Sequence, residues 1–92
     1  MAGLESEISR LSNKDIRVRR RAIRKLFDDD NHLALKGFVP MLRDSDPRFR
    51  SKSLDAHRKW VRNGDDLMPL LDNYKRVAAE LLENVEAPEI AR

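Results

Sequence analysis

The chain has 92 residues, of which 40% are hydrophobic and 38% are charged, a balance that predicts one domain with a narrow core and excludes two separate domains. Its few glycines, prolines and aromatic residues argue against a β-sandwich or barrel, and the absence of cysteine excludes disulfide scaffolds and thiolate sites. No stretch reaches the roughly 20 apolar residues of a membrane span, and the acidic start is unlike a signal peptide, so we expect a soluble, cytoplasmic protein without a membrane partner.

The first part of the chain predicts two helices. Apolar residues at helical spacing form a short first helix, namely Leu4, Ile8 and Leu11. A longer amphipathic stretch follows Asp15, which is a plausible N-cap because its side chain can accept a hydrogen bond from the first turn. The acid run Asp28, Asp29 and Asp30 closes this second helix.

Two further helices are predicted in the middle of the chain. The third begins near Asn31 and is kinked at Pro40, because proline removes one backbone donor and crowds the preceding turn. Asp46 followed by Pro47 is a strong start for the fourth helix, which runs to about Asn63.

One long fifth helix is predicted over about residues 66–86, with Asp65 or Asp66 as its cap. It carries the longest apolar stripe of the chain, and it lies in a segment where acids outnumber bases. The stripe can cap a helical stack or remain open to a partner, including a second copy of the chain. We favour capping, because so short a stack would be marginal without it.

A shift of 31 residues aligns the first helix pair with the second. Eight pairs of identical or similar residues match: Leu4 with Leu35, Ile8 with Val39, Leu11 with Leu42, Asp15 with Asp46, Arg17 with Arg48, Val18 with Phe49, Arg19 with Arg50, and Ile23 with Leu54. The sequence therefore predicts a two-copy helical repeat, with one copy over about residues 3–30 and the other over about 31–63.

The second copy resembles the HEAT family of helical repeats. The residues that carry the resemblance are Leu42-Arg43-Asp44-Ser45-Asp46-Pro47-Arg48-Phe49-Arg50, followed by Ser53, Leu54 and Ala56. The first copy departs from the family pattern at Ile16, where proline would stand, and the second at His57, where leucine is usual. The resemblance implies an all-α, right-handed α-solenoid of about five antiparallel helices, curved so that the second helix of each repeat lies on the concave, binding side.

Arg19 and its equivalent Arg50 fall within the apolar arcs of their helices. A buried arginine needs a partner, and the candidates are the cap residues Asp15 and Asp46 or nearby loop carbonyls. We therefore predict a structural role for these four residues, of the kind that the ladder between HEAT repeats implies.

The opposite faces of the second and fourth helices are basic. If the two repeats stack in parallel, these faces merge into one surface suited to phosphate or carboxylate groups. The predicted binding residues are Arg17, Arg20, Arg21, Arg24, Arg48, Lys52, Lys59 and Arg62. The alternative is that these charges serve only to keep a small helical protein in solution.

The other candidate functional residues are better explained by structural roles in the core or at helix ends. His57 and Trp60 lie in apolar arcs and are expected in the core, and the acid run lacks the alternating spacing of a calcium loop. The sequence has no recognisable nucleophile, phosphate loop or catalytic carboxylate pair. It predicts a protein that is not an enzyme and that uses neither a cofactor nor a metal.

These features predict an adaptor or accessory subunit that presents a basic face to an acidic protein or to a nucleic-acid-bound complex. The alternative is direct binding of DNA or RNA through the same face without sequence specificity, since no motif that reads bases is present. The sequence leaves the oligomeric state open.

Overall fold

The computed structural model describes residues 2–62 and 64–85, and over these residues the chain is all-α, as predicted. Its α-helices are α1 (Ala2–Arg10), α2 (Ile16–Asp29), α3 (Leu35–Phe38), α4 (Pro47–Trp60), α5 (Met68–Asn73) and α6 (Lys75–Val85). Two short 3₁₀ helices, His32–Ala34 and Pro40–Arg43, flank α3. No helix in the described ranges is both long enough and apolar enough to cross a membrane.

Both ends of α2 are set by local side-chain and backbone chemistry. Asp15 has an extended backbone, and its carboxylate accepts a hydrogen bond from the amide of Arg17 at 2.9 Å. At the other end Asp30 takes the left-handed conformation, with φ at 51°, and its amide donates to the carbonyl of Leu26 at 3.1 Å. The predicted start and end of this helix therefore agree with the structure.

The third helix was expected to be continuous with a kink, and this prediction is wrong. The segment is instead one turn of α-helix, α3, between two 3₁₀ helices. Pro40 has no amide hydrogen to donate to the carbonyl of Lys36, so α3 ends at Phe38 and a tighter turn follows. The proline thus ends the helix rather than bending it.

The fourth helix, α4, starts at Pro47 behind the cap Asp46, as predicted, but it ends at Trp60 and not near residue 63. The amide of Arg62, which would continue the helix by bonding back one turn, donates to the carboxylate of Asp65 at 2.8 Å. This hydrogen bond to a side chain takes the place of the helical one, so α4 does not continue. The predicted end itself, Asn63, lies outside the described residues.

The predicted long fifth helix is divided into α5 and α6, and its expected end at residue 86 lies outside the described residues. The break is at Tyr74, whose φ of −140° and ψ of 59° are not helical. Its hydroxyl donates to the carbonyl of Leu42 at 3.1 Å and so ties this point of the chain to the middle segment. The change of direction lets Leu70 of α5 and Ala78 of α6 both become fully buried.

The main core lies among α1, α2, α3 and α4. Three aromatic rings form its centre: Phe27 and Trp60 are 5.0 Å apart between centroids, and Phe38 lies 5.6 Å from Phe27 and 5.8 Å from Trp60. Trp60 is therefore a core residue, as predicted, and its indole N–H donates to Asp30 at 2.8 Å.

A second apolar cluster joins the end of the described chain to the middle segment. Leu42 packs there with buried residues of α5 and α6, namely Leu70, Val77, Ala78 and Leu81. Leu54 and Val61, from α4 and its end, pack against the same cluster. The apolar stripe of this segment is thus buried within the chain at these positions, although Met68 and Leu71 remain exposed.

Alanine at Gly37 is expected to lower the free energy of unfolding by about 1–2 kcal/mol, because α3 passes very close to α1. A Cβ there would lie 2.8 Å from Cγ2 of Ile8 and 2.9 Å from Cδ1 of Leu11, so these side chains would have to move. Gly3→Ala is the matched control, because its Cβ would meet no described atom within 4 Å apart from its chain neighbours and the backbone of its own helix. Urea unfolding of both variants checks this, and equal midpoints would contradict the close packing.

Candidate functional site

The helices α2 and α4 lie side by side and run in the same direction. Near their starts, the guanidinium carbon of Arg19 is 4.0 Å from the centre of the Phe49 ring. Near their ends, Phe27 packs on Trp60, and Asp30 accepts the indole hydrogen bond. The starts of the two helices contact each other, and so do their ends. The helices are therefore parallel, and a groove runs between them.

Arg19 connects the two helix pairs at the start of this groove. Its Nε donates to the carbonyl of Leu11 at 3.0 Å, and its Nη2 forms an ion pair with Asp44. The carboxylate partner is therefore Asp44 and not Asp15, which the sequence suggested and which instead caps α2. The loop carbonyl, the other predicted kind of partner, is present.

Asp44 is shared by several donors. Its Oδ1 accepts the amide of Asp46 at 2.8 Å, and its carbonyl accepts Nη1 of Arg50 at 2.6 Å. Burial pushes the pKa of Asp44 up, but the hydrogen bonds from Arg19 and from the Asp46 amide together lower it below the ordinary value. The group is thus held as a carboxylate at neutral pH.

A groove of about 590 Å³ opens between α2 and α4. Arg20 and Arg24 of α2 line one side, and Arg48 and Lys52 of α4 line the other. Between these basic side chains lies an apolar floor, formed by Ile23, Phe27 and Phe49. Asp28 is the acidic residue of the lining, one helical turn beyond Arg24.

The four basic side chains differ in how strongly they are already paired. Arg48 makes a two-point contact with Asp46, Nε to Oδ1 at 3.2 Å and Nη2 to Oδ2 at 3.0 Å, and these hydrogen bonds lower the pKa of Asp46. Arg20, Arg24 and Lys52 have no carboxylate within 4.0 Å among the described side chains. Nζ of Lys52 lies over the Phe27 ring, 5.8 Å from its centre, and Arg20 and Arg24 are exposed.

The other four predicted binding residues lie elsewhere. Arg21 lies on the α1 side of α2, in a depression that Lys25 also lines. Arg17 projects from the start of α2 with 85% of its side chain exposed, while Arg62 follows the end of α4. Lys59 lies 3.3 Å from Asp30 at the far end of the helix pair. The predicted set is therefore divided, and four of its eight members line the groove.

The sequence pattern did not identify the apolar floor as part of a site. Ile23, Phe27 and Phe49 pack in the main core, but each also lines the groove. The signal that points to this double role is adjacency on α2, where the spacing of Arg20 and Arg24 parallels that of Ile23 and Phe27.

His57 lies in the core, as predicted. It is 2% exposed, and its Nδ1 is 2.7 Å from the carbonyl of Ser53. Burial lowers the pKa of His57, which favours the neutral ring at neutral pH. It lines a depression on the other side of α4 from the basic groove, together with Asp65 and Asp66.

The acid run at the end of α2 is used in pairing. Asp29 lies 3.5 Å from Lys25, and Asp30 accepts hydrogen bonds that hold its pKa below the ordinary value, first from Trp60 and then from Lys59. No three histidine or acidic side chains converge as metal ligands in the described part of the chain. Asp30 thus joins the end of α2 to the end of α4.

No family of known proteins has a sequence model that matches this chain, and neither a curated protein nor a solved structure matches it. The resemblance to HEAT repeats therefore stays a prediction that depends on the residues given above.

Proposed function

We propose that this chain is an adaptor or accessory subunit, without catalytic activity of its own, that binds an acidic partner protein in the groove between α2 and α4. The observation that carries the proposal is the pair of basic edges, one on each helix, above a shared apolar floor. Arginine and lysine on both sides attract carboxylates, and the floor offers apolar area to a protein side chain.

We further propose that the groove lies on the concave side of a short right-handed α-solenoid, built from two HEAT-like repeats and a C-terminal cap. The equivalent turns before α2 and α4 support this. Asp15 and Asp46 each accept an amide of their own helix at 2.9 Å, and each donates its amide at 2.8 Å to the residue two positions earlier, Asn13 or Asp44. Identical turns 31 residues apart favour a true structural repeat.

Direct binding of DNA or RNA is the second candidate. The exposed Arg17, Arg20, Arg24 and Lys52 favour it, because cations on a helix face bind phosphates regardless of sequence. The groove favours a protein over a nucleic acid for two reasons: a phosphate backbone gains nothing from the apolar floor, and Asp28 repels anions at the end of the α2 edge. Nucleic-acid binding is therefore an outcome that the following experiment distinguishes.

Neutralising the groove is expected to weaken binding of an acidic ligand about tenfold or more, since each lost charge removes a favourable contact with a carboxylate. The groove variant carries Arg20→Gln, Arg24→Gln and Lys52→Gln. Fluorescence anisotropy with labelled polyglutamate, and in parallel with a short DNA duplex, measures the affinity at several salt concentrations.

The control variant has the same net charge but leaves the groove intact, with Arg17→Gln, Arg21→Gln and Lys25→Gln. It is expected to change the affinity for polyglutamate less than about threefold, through the long-range field alone. Equal losses in both variants would show that net charge and not the groove drives binding. Tighter binding of the duplex than of polyglutamate, lost in the groove variant, would favour the nucleic-acid function.

A further inference from the structure

The groove is suited to a more specific ligand than a uniform polyanion. We infer that its ligand is an acidic protein segment with one large apolar side chain, which inserts between α2 and α4 while flanking carboxylates bind the basic edges. This inference rests on the proposed function and names the chemistry of the partner at the same site.

The apolar floor of the groove is the evidence for an apolar anchor in the ligand. Ile23 and Phe49 are almost fully buried, and Phe27 is held from below by its ring contacts with Phe38 and Trp60. The floor is therefore rigid before any ligand arrives, which lowers the entropic cost of binding. An apolar side chain placed on this floor loses contact with water.

The edges support the flanking carboxylates. Arg20 and Arg24 are one helical turn apart, which separates their starting points along α2 by about 6 Å, and Arg48 and Lys52 have the same separation on α4. Residues on one side of an extended peptide repeat at about 6.6–6.8 Å, close to this spacing. Two acids separated by one residue in an extended segment can therefore each reach one of the two bases on the same wall.

Asp28 favours a peptide ligand over a phosphate polymer. It follows Arg24 by one turn, so the basic edge of α2 is succeeded by a negative charge. A phosphate polymer carries charge at every repeat and meets this repulsion, whereas a peptide can place a neutral residue there. The apolar floor and this acid both favour a protein segment.

The test compares two labelled synthetic peptides of equal length and charge, in which glutamates flank either a central phenylalanine or a central serine. The phenylalanine peptide is expected to bind the unmodified chain about 10- to 100-fold more tightly, as the burial of one aromatic side chain requires. Affinities are measured by anisotropy with the full chain, the groove variant and the control variant defined above. A third peptide with benzoylphenylalanine as the anchor is expected to cross-link to α2 or α4 at the floor, identified by mass spectrometry.

The outcomes separate the two proposals. Equal affinity of the phenylalanine and serine peptides, with both weakened in the groove variant, overturns the anchor and leaves the adaptor proposal intact. Equal weakening in groove and control variants overturns both. Cross-linking outside the groove, or tighter groove-dependent binding of a DNA duplex than of the phenylalanine peptide, also overturns the inference.

Discussion

Replacing Phe38 by alanine is expected to lower the free energy of unfolding by about 3–5 kcal/mol, the usual cost of removing a buried aromatic ring. Phe38 is completely buried, and its ring contacts both Phe27 and Trp60. Its loss leaves a cavity at the point where α3 meets α2 and α4.

Urea unfolding followed by tryptophan fluorescence measures this effect, since the single Trp60 reports on the same cluster. Leu33→Ala is the matched control, because Leu33 is 54% exposed and is expected to contribute less than about 1 kcal/mol. If the two variants lost similar stability, the aromatic cluster would not be the centre of the core.

The starts of α2 and α4 could be predicted because their causes are local. Asp15 and Asp46 accept amides within their own first turns, and Pro47 has a backbone angle already suited to a helix. The break at Tyr74 could not be predicted in the same way, because it depends on a hydroxyl bonded to a carbonyl 32 residues away.

The site shows the same division between local and tertiary causes. Helical periodicity placed Arg20 and Arg21 in one basic arc, but consecutive residues differ by about 100° around a helix, and packing of α1 separates them. The partner of Arg19 could not be predicted from local sequence either, because Asp44 belongs to the next helix pair. The helices that hold the charges could therefore be predicted from the sequence, but the side of α2 on which the groove opens could not.

Breaking the contact between Arg19 and Asp44 is expected to lower the free energy of unfolding by about 2–3 kcal/mol, because both side chains are only 16% exposed. Arg19→Met keeps much of the apolar stem but leaves Asp44 without its guanidinium. Asp44→Asn keeps an oxygen for the Asp46 amide, the role that Asn13 has before α2. A double-mutant cycle isolates the ion pair, with an expected coupling of about 1–3 kcal/mol.

The same pair predicts a dependence on pH with a definite sign. Because the folded pKa of Asp44 is lowered, the stabilisation is fully present above the unfolded value of about 3.9 and is lost as pH falls through the folded value. The difference between the unmodified chain and Arg19→Met should therefore shrink in acid. The exposed pair of Lys36 and Glu5 is the control, with an expected coupling of about 0.5 kcal/mol. A coupling for Arg19 and Asp44 no larger than this would mean that the two helix pairs are joined by apolar packing alone.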